Sequence, residues 1–247
     1  MSTKIQSKKN DWGKKTLGEL VTEDYRRADI FKKHGMDFCC GGAVTLTDAC
    51  RKNNLALNKV VEEIEQLDNE PAPRGENYAA WDLSFLADYI VNTHHAWLHE
   101  NTEKIVGYAH KIVEVHGSRH AELKEVAAHF DRIAEDLKGH LQEEEDHFFP
   151  AVKRLEATGK AGESPDDSDR RTVQKDLDQL LREHQEVGDA VHEIRRLTSD
   201  YAVPQDTCNT YALTYRLLKE FEDDLHKHVH LENNILFPKA SALLQQS

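Results

Sequence analysis

Two stretches of this chain share one frame. HLQEEEDHFFP runs from His140 to Pro150, and HVHLENNILFP runs from His228 to Pro238. Each sets a His and a Glu four residues apart and closes on Phe-Pro. Residues four apart on a helix lie on one face. His140 with Glu144, and His228 with Glu232, therefore each present an imidazole and a carboxylate in one direction. Both groups are ligands for first-row metals: imidazole suits zinc, copper, iron and nickel, and a carboxylate adds a hard oxygen that can bridge two ions. One such pair alone is commonly no more than a solvated polar face. Its return 88 residues later, in the same frame, calls for a shared role.

The same spacing locates partners. His95 in IVNTHHAWLHE precedes His140 by 45 residues, and His184 in LLREHQEVG precedes His228 by 44. The chain thus reads as two helical hairpins, each with one His on its first helix and His-x-x-x-Glu on its second. A bundle of the two would gather four imidazoles and two carboxylates, a set that suits a pair of first-row metal ions. By symmetry, His95 and His140 are expected to hold one ion, His184 and His228 the other, with Glu144 and Glu232 bridging. Six protein ligands on two ions leave positions open for small molecules. Without metal, the same groups would be costly in a bundle core.

Neighbouring histidines need sorting. His94 and His99 compete with His95, and the spacing favours His95. His226 and His230 flank His228 by two residues, about 200° around a helix, and are expected to face solvent. His147 stands where the sister frame has Ile235. It can support a ligand, act as an occasional ligand, or be a polar residue near the bundle end. The acidic run from Glu143 to Asp146 reads as a solvated face, with Glu144 alone in register with His140.

The elements that position these groups follow from the rest of the chain. Of 247 residues, 31% are charged and 7% aromatic, with 12 Gly and 6 Pro, which points to helices. Residues 1–70 form short helical patterns around a loop, MDFCCGG, with Thr45 or Thr47 as a cap for the third. Residues 71–81, rich in Pro and charge, read as a linker. Residues 82–247 carry four long patterns, about 82–115, 120–157, 168–199 and 206–244, with Asp82 able to cap the first. At 1.5 Å per residue such helices are about 45 Å long, and short connections make them pack side by side. The expected class is all-α: an antiparallel four-helix bundle preceded by a small N-terminal helical domain.

Net charge is −13, which argues against a general nucleic-acid binder because phosphates would be repelled. The sequence contains no run of 18 apolar residues, so no membrane span is expected. Residues 1–15 are polar, expected to be frayed, and carry no apolar signal segment, which gives a cytoplasmic expectation. The cysteines are Cys39, Cys40, Cys50 and Cys208, expected to be reduced thiols. Cys50 and Cys208 read as ordinary packed residues. Cys39-Cys40-Gly41-Gly42 reads either as a small buried pair or as a reactive dithiol in a flexible loop.

Together, the two His/Glu frames resemble the metal-binding motifs of hemerythrin-like domains. With DFCCGG added, residues 16–244 resemble the bacterial di-iron proteins for repair of iron centres, the iron–sulfur cluster repair or ScdA-type family. The resemblance implies an oxo- and carboxylate-bridged centre of two iron ions in a cytoplasmic two-domain protein. Its ligands fall on His95, His140, Glu144, His184, His228 and Glu232. It implies damaged iron–sulfur proteins as clients, after nitric oxide or peroxide stress, and favours a reactive role for Cys39 and Cys40. A homodimer is part of the same expectation. Two roles stay open: reduction of nitric oxide at the centre, or donation of iron. The rival is an oxygen or nitric oxide carrier or sensor without turnover.

Overall fold

The computed structural model describes residues 12–71, 77–164 and 166–245; the regular structure among them is helical, with one isolated bridge, Thr16 to Thr45. The expected fraying of residues 1–11 and the linker centre, 72–76, lie outside them. Two compact units divide the chain: residues 1–82 with 229–239, and residues 83–228 with 240–247.

The first unit holds helices α1 (Leu17–Glu23), α2 (Arg27–Lys33), α3 (Leu46–Lys52) and α4 (Leu57–Asp68). Thr16 and Glu19 close a reciprocal capping box on α1. Thr45, rather than Thr47, caps α3 by accepting from the Asp48 N–H. Leu17, Leu20, Phe31, Leu46, Val61 and Ile64 are fully buried and form the core. Buried Arg27 ties α2 to the end of α4 by donating to both Asp68 carboxylate oxygens, at 3.1 and 3.2 Å.

Hydrogen bonds hold the MDFCCGG loop at several points. Asp37 accepts from the backbone N–H groups of Cys39, Cys40 and Gly41 at 2.9 to 3.0 Å. Asn234, from the 229–239 segment of the same unit, donates to the Phe38 and Cys39 carbonyls at 3.2 and 3.3 Å. Gly42 lies so close that a Cβ there would meet the Phe38 carbonyl oxygen at 2.7 Å and the Asn234 side chain at 2.2 Å. Gly42→Val should therefore cost about 1–3 kcal/mol and loosen the loop. The readout is alkylation of Cys39, which is buried in the native chain and should label faster in the variant.

The second unit is built on long helices that pack as a bundle. The first consists of α5 (Leu83–Ile90), a π-turn (Val91–His95) and α6 (Ala96–His116). The second consists of α7 (Leu123–Glu143), a π-turn (Glu144–Phe148) and α8 (Phe149–Ala161). The third is α9 (Asp167–Leu197). The fourth is α10 (Asn209–Leu231), in this unit as far as His228; the chain runs on as a π-turn (Glu232–Leu236), which belongs to the first unit, and α11 (Phe237–Leu244). α6 packs on α7, and α7 on α9. Phe130 and Phe221 meet edge to face inside the unit, with centroids 4.9 Å apart. The third helix stops at Leu197, short of the expected 199, because Ser199, Asp200 and Tyr201 all take left-handed φ values of 50 to 61°.

Pro150 and Pro238 explain two of the π-turns. A proline lacks an N–H and clashes with the carbonyl four residues back. A π-turn before each proline widens the helix and relieves that clash. The frame's Phe-Pro ending thus sets the backbone that carries Glu144 and Glu232. No proline follows Val91–His95, so its π-turn has another cause.

One cap was hidden from sequence reading. The N–H groups of Leu83 and Ser84 and the Ser84 hydroxyl all donate to Glu156, 2.6 to 2.9 Å away and more than 70 residues along the chain. Burial pushes the Glu156 pKa up, but these donors outweigh it and hold the carboxyl below its ordinary 4.5. Glu156→Ala should cost about 2 kcal/mol at neutral pH. Because the folded pKa is depressed, that stability is fully present above pH 4.5 and fades as pH falls through the folded value. Thermal melts of wild type and variant should therefore converge in acid.

Candidate metal centre

The residues singled out by spacing lie at mid-length on the bundle helices, and the π-turns carry several of them. His95 ends the first π-turn and Glu144 opens the second. His140 lies one turn before Glu144 on α7, His184 lies within α9, and His228 lies near the end of α10. All five are buried.

They form two groups, and Glu144 belongs to both. The ligand atoms of His95, Glu144 and His228 all lie within 4.8 Å of one another, as do those of His140, Glu144 and His184. His95 Nε2 is 3.1 Å from His228 Nε2, and His140 Nε2 is 3.0 Å from His184 Nε2. Glu144 Oε2 stands between the groups, 3.5 Å from His95 Nε2 and 3.4 Å from His140 Nε2. Two imidazoles at right angles on one ion, each bound at about 2.1 Å, would place their nitrogens roughly 3 Å apart. The donor set and its spacing therefore fit a pair of first-row metal ions. Glu232 is fully buried, lies one helical turn after His228 and opens the π-turn that follows.

The pairing differs from the symmetric expectation. His95 joins His228, and His140 joins His184, so each group spans the two hairpins instead of staying within one. Sequence spacing sets depth along the bundle but not which neighbouring helices face each other at that depth.

Two carboxylates, Glu145 and Glu183, orient the imidazoles. His95 Nδ1 is 2.8 Å from Glu145 Oε1, and His140 Nδ1 is 2.8 Å from Glu183 Oε2. These contacts hold each ring with Nε2 aimed into its group. The bond from His95 lowers the Glu145 pKa, and the bond from His140 lowers that of Glu183. Their signal was position: each directly flanks a candidate ligand, Glu144 or His184.

The other histidines sort as follows. His99 is exposed, 3.3 Å from Glu145. His147 is exposed, 4.0 Å from Glu143. His94 is buried, bonds Asp224 at 2.8 Å and stacks parallel to His228. His226 and His230 are buried, against expectation. His226 lies against Glu222, and His230 packs on Tyr25 and Phe38. Neighbours surround this end of α10 on several sides, so a 200° turn does not reach water.

The cysteines also divide. Cys39 and Cys40 hold their sulfurs 3.9 Å apart, and Asp37 joins them in a compact group. The contact with Cys40, together with burial, pushes the Cys39 thiol well up. Cys50 is buried as expected. Cys208 is exposed rather than packed, because it precedes α10 at the bundle end. Its sulfur is 3.2 Å from His116 Nε2. That histidine and the first N–H groups of α10 bring its pKa down to about 7. Alkylation of Cys208 should therefore show a midpoint near pH 7, shifted upward in His116→Gln and absent in Cys208→Ser.

Among the described residues no helix is long and apolar enough to cross a membrane. Comparison with known proteins accounts for both units. Residues 13–68 match the ScdA N-terminal domain, a domain of unknown function, and residues 86–240 match the hemerythrin HHE cation-binding domain. The chain is 33% identical to the iron-sulfur cluster repair protein ScdA of Staphylococcus haemolyticus, over 91% of this chain and 97% of that protein. It is 31% identical to the iron-sulfur cluster repair protein YtfE of Yersinia pestis, over 93% and 98% respectively. Two domain matches, relatives aligned nearly end to end, and two buried His/Glu groups in the hemerythrin part agree: the chain belongs to the ScdA/YtfE family of iron–sulfur cluster repair proteins.

Proposed function

We propose that this chain holds two iron ions through His95, His140, Glu144, His184, His228 and Glu232, and helps restore iron–sulfur clusters damaged by nitrosative or oxidative stress. The observation that carries this reading is Glu144, a fully buried carboxylate common to both imidazole pairs. Glu232, equally buried on the helix of His228, supplies the second bridge. Glu145 and Glu183 add two more negative charges behind the imidazoles. With neutral histidines, these four carboxylates balance two ferrous ions, so the pair can sit in a low-dielectric core without net charge.

A reduced iron pair supplies two electrons, which with two protons turn two molecules of nitric oxide into nitrous oxide and water. The protein's own groups fix the imidazoles and exclude bulk water. In the second role, iron is the cargo and passes to a damaged client protein. Cys40, the more exposed of the adjacent thiols, is the one available to such a client.

The test begins with metal analysis and Mössbauer spectroscopy of the iron-57 protein. Roughly two coupled irons per chain are expected; an iron-free or mononuclear protein would sink the reading. Given the iron pair, nitric oxide and an apo client separate the roles. Steady nitrous oxide formation with iron retained marks reduction. Loss of iron from this chain, matched by recovery of the client, marks donation.

A further inference from the structure

A third group of ligand atoms lies in the bundle, outside the two that share Glu144. His192 on α9 and Glu222 and His226 on α10 place one nitrogen or oxygen each within 4.8 Å of one another. The two imidazole rings have centroids 5.9 Å apart. Glu222 and His226 stand one helical turn apart on α10, with His226 Nε2 3.8 Å from Glu222 Oε1. Glu222 and His226 are buried, whereas His192 is exposed. The geometry points to a further binding site for a divalent first-row cation, held by His192, Glu222 and His226 and open to solvent on the His192 side.

Two imidazoles and one carboxylate oxygen are a mixed nitrogen and oxygen donor set, suited to divalent ions such as zinc, nickel, copper or iron. The exposed imidazole gives the ion an entry path and leaves positions for water. The main competitor is Arg195. Its guanidinium donates to both Glu222 oxygens at 2.8 to 3.1 Å, and also to Asp200 at 2.7 Å. A carboxylate offers about four lone-pair positions, so Oε1 keeps one for a cation on the His226 side. Asp200 offsets part of the guanidinium charge. Arg195 should therefore weaken the site without closing it, which makes the bound ion exchangeable.

The site does not depend on what the Glu144 groups hold. Zinc alone is titrated calorimetrically into full-length protein loaded with two ferrous ions per chain and freed of excess iron. The wild type is expected to take up one further zinc per chain. His192→Gln removes a surface ligand and leaves the core untouched, and should weaken that uptake by more than roughly tenfold. Uptake that is absent from the wild type overturns the assignment. So does uptake that survives His192→Gln but disappears in Cys208→Ser, because the ion would then sit on the thiol near His116.

Discussion

The Glu144→Ala protein, expressed with ample iron, is expected to retain less than about a tenth of the wild-type metal. The loss is larger than for one ligand of a single ion, because Glu144 belongs to both groups and stands about equally far from His95 and His140. Removing it takes away one of the two bridging carboxylates and leaves Glu232 alone to screen the ions from each other. Two divalent ions would then repel each other through a low-dielectric core. His147→Ala, three residues further along the same helix but exposed, should keep full metal content. Metal analysis of the two variants side by side decides the matter. Equal metal in both would remove Glu144 from the ligand set and take the shared-carboxylate reading with it.

Much of this site was legible in the sequence because helices translate spacing into direction. His140 and Glu144 had to share a face, and so did His228 and Glu232. The near-equal intervals back to His95 and His184 placed all of them at one depth. What stayed hidden depends on contacts between helices. Glu145 sits in an acidic run that looks solvated, and only the packed first helix brings the His95 ring to it. Glu156 caps a helix that begins more than 70 residues away, which no local pattern could reveal. His226 and His230 lay outside the inward stripe and yet are buried, because neighbours cover α10 on several sides. Cys208 looked like any small apolar residue until the end of α10 and His116 were seen beside it. The doubled Phe-Pro was visible, but its consequence, a π-turn under each bridging candidate, was not.

The crossed pairing yields a result that symmetry alone would not. Glu145 orients His95 and Glu183 orients His140. Loss of such a supporting carboxylate typically weakens metal binding roughly 10- to 100-fold. If His95 and His140 served one ion, Glu145→Ala and Glu183→Ala would weaken the same ion, and the double variant would still hold the other tightly. In the observed arrangement His95 belongs with His228 and His140 with His184. Each single variant should then keep one tightly held iron and loosen the other, and the double variant should loosen both. Competition with a ferrous chelator reads this directly: one fast and one slow iron in each single variant, and two fast irons in the double. Because the two side chains are part-exposed at the bundle surface, both variants should fold, and circular dichroism checks that they do. A slow iron surviving in the double variant would return the ions to the separate hairpins.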